Sequence, residues 1–209
     1  YLLGLIYYEG KYIKREINKA IKYFKQASDQ NNSYSQFYLG EIYYEGIYIT
    51  RDIQKSIHYF TLAANQNFSY AQFNLAIIYY RNKYIKQNIP SFMHYMCLAA
   101  KNNDKDAQFY LGYFYLNGYY VKKNINLSID NFINSSKQGN IYAYFFLGVI
   151  YSKGEDVPRN IKKAINYYKN ASSIYGSKSK NNLAIIYRNG IGIKKTLFMQ
   201  LSYLKNQFN

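Results

Sequence analysis

The 209-residue chain holds one cysteine, two histidines, two prolines and no tryptophan. A lone Cys97 excludes a disulfide-built scaffold. With only His58 and His94 beside it, no zinc site of protein ligands is expected. Two prolines and 12 glycines exclude collagen-like or proline-rich material. No run of about 18 apolar residues is present, so no segment of this sequence is expected to span a membrane. The chain opens Tyr1-Leu2-Leu3, with no charged segment ahead of an apolar stretch, so no export signal is read there. It is expected to be a piece of a longer protein. Acids are scarce too: 11 Asp and Glu face 27 Lys and Arg, a net charge of +16. Aromatics are plentiful, with 29 Tyr and 13 Phe, and this apolar load excludes a disordered chain.

The basic excess points to phosphate, acidic protein or anionic membrane as partner. A competing explanation is compositional. Arginine occurs only at 15, 51, 81, 159 and 188, while Asn, Ile, Tyr, Phe and Lys dominate, the residues of A/T-rich codons. That explanation is favoured over a selected basic surface.

Self-similarity organises the rest. Leu3-Gly4, Leu39-Gly40, Leu75-Ala76, Leu111-Gly112, Leu147-Gly148 and Leu183-Ala184 follow one another at a constant 36 residues. Four residues past each Leu stands a tyrosine: Tyr7, Tyr43, Tyr79, Tyr115, Tyr151, Tyr187. A second glycine follows at Gly10, Gly46, Gly118, Gly154 and Gly190, with Asn82 in the odd place. The chain is therefore an array of units, read as 1–32 (truncated at its start), 33–68, 69–104, 105–140, 141–176 and 177–209 (truncated at its end).

Each unit reads as two helices. Ser35, Leu39, Ile42 and Tyr43 share one helical face, and Gly46 stops that helix as a left-handed residue should. Ile13, Ile49, Ile85, Val121, Val157 and Ile193 are expected to anchor the following loop. The second helix starts at Glu16, Asp52, Asn88, Asn124, Asn160 or Thr196, all but Glu16 able to cap exposed backbone N–H groups. Glycine inside a helix costs about 1 kcal/mol against alanine, so its recurrence at Gly4, Gly40, Gly112 and Gly148 predicts close helix approach.

The frame Leu39-Gly40-Glu41-Ile42-Tyr43-Tyr44-Glu45-Gly46, continued by Asp52, Ser56-Ile57, Tyr59-Phe60 and Ala63-Ala64, resembles the Sel-one-like repeat (SLR), a relative of the tetratricopeptide repeat. The match runs through essentially the whole chain. Asn82 for glycine, and Phe92 where other units place Ala or Ser, are local departures expected to reshape the third hairpin. The resemblance implies an all-α, right-handed α-α superhelix of 36-residue helix-turn-helix units. It also implies a non-catalytic scaffold for protein or peptide partners. Family members scaffold signalling assemblies, serve in membrane-bound ubiquitin-ligase machinery, or sit beside catalytic domains such as kinases. The compartment is expected to be the cytoplasm, or the endoplasmic reticulum lumen if a signal peptide lies upstream.

By analogy with the tetratricopeptide relative, the first helix of each unit lines a concave groove. The candidate partner-binding residues there are Tyr8, Glu9, Phe37, Tyr38, Glu41, Tyr44, Glu45, Phe73, Tyr80, Arg81, Phe109, Tyr110, Tyr113, Phe145, Lys153 and Arg188. Rigid aromatics suit interface anchors. The column Tyr1, Phe37, Phe73, Phe109, Phe145 has a competing reading as packing between successive first helices, which is favoured. The columns of Glu41, Tyr44 and Glu45 are expected to be exposed, so that truncating Tyr44 and Tyr80 weakens a partner at little cost in stability. Charge shifts from Glu9, Glu41 and Glu45 to Arg81, Lys153, Lys178 and Arg188, and no acid follows Val157.

Catalytic patterns are wanting. His58 and His94 read as surface residues, Cys97 has no base beside it, and no phosphate-binding glycine loop is present. No cofactor and no metal is expected. Binding of single-stranded nucleic acid is the alternative, supported by charge and stacking aromatics. Against it, no recurrent polar code of the kind used by helical-repeat RNA readers occurs.

Overall fold

The computed structural model describes residues 1–81, 83–172 and 176–189. Within them the chain forms eleven helices: α1 Leu2–Glu9, α2 Ile17–Ser28, α3 Ser33–Glu45, α4 Ile53–Asn65, α5 Ser69–Arg81, α6 Ile89–Lys101, α7 Lys105–Asn117, α8 Ile125–Lys137, α9 Ile141–Lys153, α10 Ile161–Ser172 and α11 Gly176–Asn189. They fall into two compact units, Tyr1–Ala107 and Gln108–Asn209. Odd-numbered helices are the first of each hairpin and even-numbered ones the second.

Local chemistry sets the helix ends where the sequence places them. Gly10, Gly46, Gly118 and Gly154 are left-handed, with φ of 65°, 62°, 74° and 73°, and the first, second and fourth close α1, α3 and α9. Asn82 and Gly190 lie outside the described residues. Asp52, Asn88, Asn124 and Asn160 each accept a backbone N–H three residues on, at 3.0–3.1 Å. Glu16 makes no such cap. One further bond recurs in five hairpins: the backbone N–H of Glu16, Asp52, Asn88, Asn124 or Asn160 donates to the carbonyl of Tyr7, Tyr43, Tyr79, Tyr115 or Tyr151.

The recurring tyrosine is thereby explained as a hairpin clasp. Tyr43 stacks on Tyr59 at 5.8 Å and 4°, Tyr79 on Tyr95 and Tyr151 on Tyr167. Lys55 covers the Tyr43 ring at 5.3 Å and Lys163 the Tyr151 ring at 4.9 Å. The mid-helix glycines are contact points: a Cβ on Gly4, Gly40, Gly112 or Gly148 would stand 2.5–2.7 Å from the ring of Phe24, Phe60, Phe132 or Tyr168.

The third hairpin solves the same space differently. Ala76 stands in the glycine column, Met96 in that of Phe60, and Phe92 is buried where Ser56 sits one hairpin earlier. The expected reshaping is thus a side-chain exchange within an unchanged pair of 13-residue helices.

Polar groups tie each hairpin to itself and to its neighbour. Within hairpins Gln36 accepts from Gln66 at 2.7 Å, Gln72 from Asn102 at 2.9 Å and Gln108 from Gln138 at 2.9 Å. Between hairpins the buried Gln72 amide donates to the Ala64 carbonyl at 3.0 Å, Gln66 to Asn31 at 3.0 Å and Asn102 to Asn67 at 3.3 Å. The turns carrying these ties use Asn31, Asn67 and Asn103 at φ 62°, 62° and 67°, and Gly139 at 81°. On the loop edge Arg51 donates to the Glu45 carbonyl at 2.9 Å and reaches across to the Tyr84 ring and hydroxyl. Arg15 does the same to Glu9 and Tyr48. In the second unit Lys123 pairs with Asp156 at the same spacing. Ile49, Ile85 and Val157 pack onto the core as the loop anchors expected. Ile13 is 42% exposed.

Candidate partner-binding surface

In the first unit the odd helices present an aromatic and acidic face. Tyr38 stacks flat on Phe24 at 5.2 Å, Tyr8 meets the Tyr38 ring edge-on at 5.6 Å, and the Tyr38 hydroxyl bonds that of Tyr1. Burial, with Tyr1 next, pushes the Tyr38 phenol to about 12. Tyr8 is raised by burial and then by Glu45 and Glu41, against Arg15. Glu41 lies half-buried beside these rings. Burial first, and the neighbouring Glu45 second, lift its carboxyl to about 7. Glu9 and Glu45 are exposed. The ion pairs among the described residues join Lys19–Glu16, Lys55–Asp52, Lys123–Asp156 and Lys153–Glu155, and none uses Glu9, Glu41 or Glu45.

The column of Phe37 packs within its own hairpin and against the next. Phe37 lies 5.8 Å from Phe60 of its own hairpin and 6.3 Å from Tyr70 of the next. Phe109 lies 5.8 Å from Phe132 and 5.9 Å from both Tyr142 and Phe146, and Phe145 5.9 Å from Tyr168 of its own hairpin. Phe73 is likewise half-buried. The expectation of exposure holds for one of the three neighbouring columns and needs correcting for two. Glu9, Glu45, Arg81 and Lys153 are exposed, whereas Glu41, Tyr113, Tyr8, Tyr44 and Tyr80 are half-buried. Tyr80 stacks on Phe92 at 4.6 Å, Tyr44 packs against the core around Phe60, and Tyr113 meets Phe146 edge-on at 5.5 Å. Arg81 covers the Tyr80 ring at 5.1 Å. Tyr110 is 39% exposed. Arg188 and Lys178 lie outside the described side chains.

The second unit differs on the same columns. Ser152 replaces the tyrosine of Tyr8, Tyr44 and Tyr80, and Asn182 replaces the aromatic of Tyr38 and Phe146. A cleft of about 350 Å³ opens there between α9 and α11. The sequence carries this signal only as a pair, since Asn74 also stands in the Asn182 column but follows Tyr44 where Asn182 follows Ser152, and only the packing shows that the pair leaves space. The Arg–Tyr straps and Gln–Asn ties were not read from the sequence.

His58 and His94 are exposed, each edge-on to the next tyrosine at 5.1 Å. Cys97 is exposed. Among the described residues no group of three His, Cys, Asp or Glu side chains comes together to hold a metal ion, and no helix is long and apolar enough to cross a membrane.

Comparison with known proteins accounts for the repeat. The family model described as Sel1 repeat matches residues 1–32, 33–68, 69–104, 105–140, 141–173 and 177–195. A Sel1 repeat protein from Oxalobacter formigenes superposes with a TM-score of 0.80 at 29% identity, over 98% of this chain and 84% of that one. A protective antigen of uropathogenic Escherichia coli with an SLR fold gives 0.89 at 26% identity, over 99% of this chain and 44% of that one. A search of the curated proteins finds no match. Sel1 repeats generally serve as protein-interaction scaffolds, and the fold is typically non-catalytic. Two-helix units of constant length, glycine-to-ring contacts at the same columns, and six matched repeats agree: the chain belongs to the Sel1 repeat family.

Proposed function

We propose that the chain is a non-catalytic adaptor that holds extended protein segments on its odd-helix faces, with the first unit selecting segments rich in Lys or Arg. The observation that supports this most directly is the set of three glutamates with no ion pair among the described residues, gathered on an aromatic face of a chain with a charge of +16. Glu41, half-buried beside Tyr8 and Tyr38 with its carboxyl raised to about 7, carries part of its charge at neutral pH. Glu9 and Glu45 therefore supply most of the field, and an arriving cation draws Glu41 into its charged form. The local dielectric is lowered, and the ring faces add a cation–π contribution of about 0.5–2 kcal/mol. Tyr8, Tyr38 and Tyr44 are already held by their neighbours, so little side-chain entropy is lost on contact.

Peptide-display selection followed by fluorescence anisotropy tests the reading. Selected peptides should combine an aromatic or aliphatic anchor with Lys or Arg. The double substitution Glu9→Lys, Glu45→Lys should weaken them about tenfold or more, about 1.4 kcal/mol, with an unchanged thermal melt. Selection without enrichment, or affinity indifferent to that substitution, would sink it. An oligouridylate that binds and survives about 200 mM salt would favour nucleic acid instead.

A further inference from the structure

The cleft in the second unit has the opposite chemistry. Its walls are aliphatic, from Val149, Ile185 and Ile186, and its rim carries Lys153 and Arg159. At about 350 Å³ it sits at the lower end of the roughly 300–1,000 Å³ of ordinary ligand pockets, room for a branched side chain and its polar neighbour.

Two exchanges build it. In two other hairpins an aromatic in the Asn182 column lies flat on the ring of the preceding hairpin, Tyr38 on Phe24 and Phe146 on Phe132 at 5.5 Å. Asn74 shares the residue type, but the Ser152 column holds Tyr44 one hairpin before it. Asn182 instead bonds the Tyr168 hydroxyl. That hydroxyl, on the one tyrosine in a column otherwise Phe or Met among the described residues, also lies 3.1 Å from Ser152 Oγ. The polar floor is thus satisfied internally, and the volume once filled by rings is open. Of the two cations, Arg159 spends its Nε on the Ser152 carbonyl at 3.0 Å. Lys153 stands 3.7 Å from the exposed carboxylate of Glu155, an exposed pair worth little.

Resting on the reading that odd-helix faces hold protein segments, we infer that this cleft takes an acidic segment of a partner protein. A Leu, Ile or Met side chain enters between Val149 and Ile185, and an adjacent Asp or Glu is held by Lys153 and Arg159. Charge complementarity commits the occupant: aliphatic walls admit the anchor, and a rim with two cations and one weakly held acid selects the carboxylate.

Titration of the protein with two synthetic peptides decides it, one alternating Leu and Asp, the other alternating Leu and Lys. The Leu-Asp peptide should bind and the Leu-Lys peptide should not compete with it. Asn182→Tyr, which restores the stack seen at Tyr38, and Lys153→Glu should each weaken the Leu-Asp peptide about tenfold or more, while Lys137→Glu on α8 leaves it unchanged. Equal affinity for wild type and Lys153→Glu would overturn the assignment, whatever the stability of Asn182→Tyr. If the Leu-Asp peptide fails to bind while Lys-rich peptides still respond to Glu9→Lys, Glu45→Lys, the cleft assignment falls and the adaptor reading stands. Failure of both sets sinks both.

Discussion

The Phe60 ring lies where the Cβ of any other residue at Gly40 would be, 2.5 Å from Cδ1. Phe60 is wholly buried and cannot swing away. Gly40→Ala should therefore cost about 1–3 kcal/mol, the usual range for overpacking, despite the better helix propensity of alanine. Transplanting the third hairpin's solution, Gly40→Ala with Ser56→Phe and Phe60→Met, should recover most of the loss. Urea unfolding of the single and triple variants measures both. A triple variant no better than Gly40→Ala would show that the two arrangements are not interchangeable.

Gln72 is a second point of stored stability. Replacing it with Met keeps the volume but removes two hydrogen bonds: the Ala64 carbonyl keeps the Asn67 N–H, and Asn102 the Asn67 side chain. Two bonds at about 0.5–1.5 kcal/mol each put the cost at about 1–3 kcal/mol. Hydrogen exchange should show the α4–α5 turn losing protection first. Unchanged protection there would mean the amide is redundant.

Tyr80→Ala should destabilise by about 1–3 kcal/mol, because it empties the stack on Phe92. Arg81→Glu, one residue on and exposed, should leave the melt unmoved. Probes of binding therefore belong on the outermost column of Glu9, Glu45, Arg81 and Lys153, and not on the tyrosines beside it.

Glu41 gives the stability a pH dependence. Its folded carboxyl is raised to about 7 from an ordinary 4.5, so the folded state holds its proton more tightly than the unfolded chain. That contribution is fully present below the ordinary carboxylate range and is lost as pH rises through about 7. Glu41→Gln should raise the melting temperature at about pH 8, and the advantage should shrink on acidification to about pH 5. A constant difference across that span would place the titration elsewhere.

Much of this was legible from one dimension. Leu39, Gly40, Tyr43 and Gly46 recur at fixed spacing because each meets the same neighbour in every unit, so periodicity reports a contact without naming it. Helix caps were legible for the same reason, since Asp52 and Asn88 act on backbone three residues away. The face itself was less so. Tyr44 and Tyr80 look like surface residues in a column that varies between Tyr, Leu and Ser, and only packing shows them half-covered. The straps from Arg51 to Tyr84 and from Gln36 to Gln66 join residues 33 and 30 apart. Neither separation equals the repeat length, so a search at a single period passes over them.

Those short straps have an evolutionary corollary. Every tie described stays within a hairpin or reaches the adjacent one and stops there, so excising or copying a whole 36-residue block brings together ends that already match. Such a chain can lengthen or shorten by genetic slippage without inventing a new joint, and each added block offers fresh outward columns on which recognition can diverge.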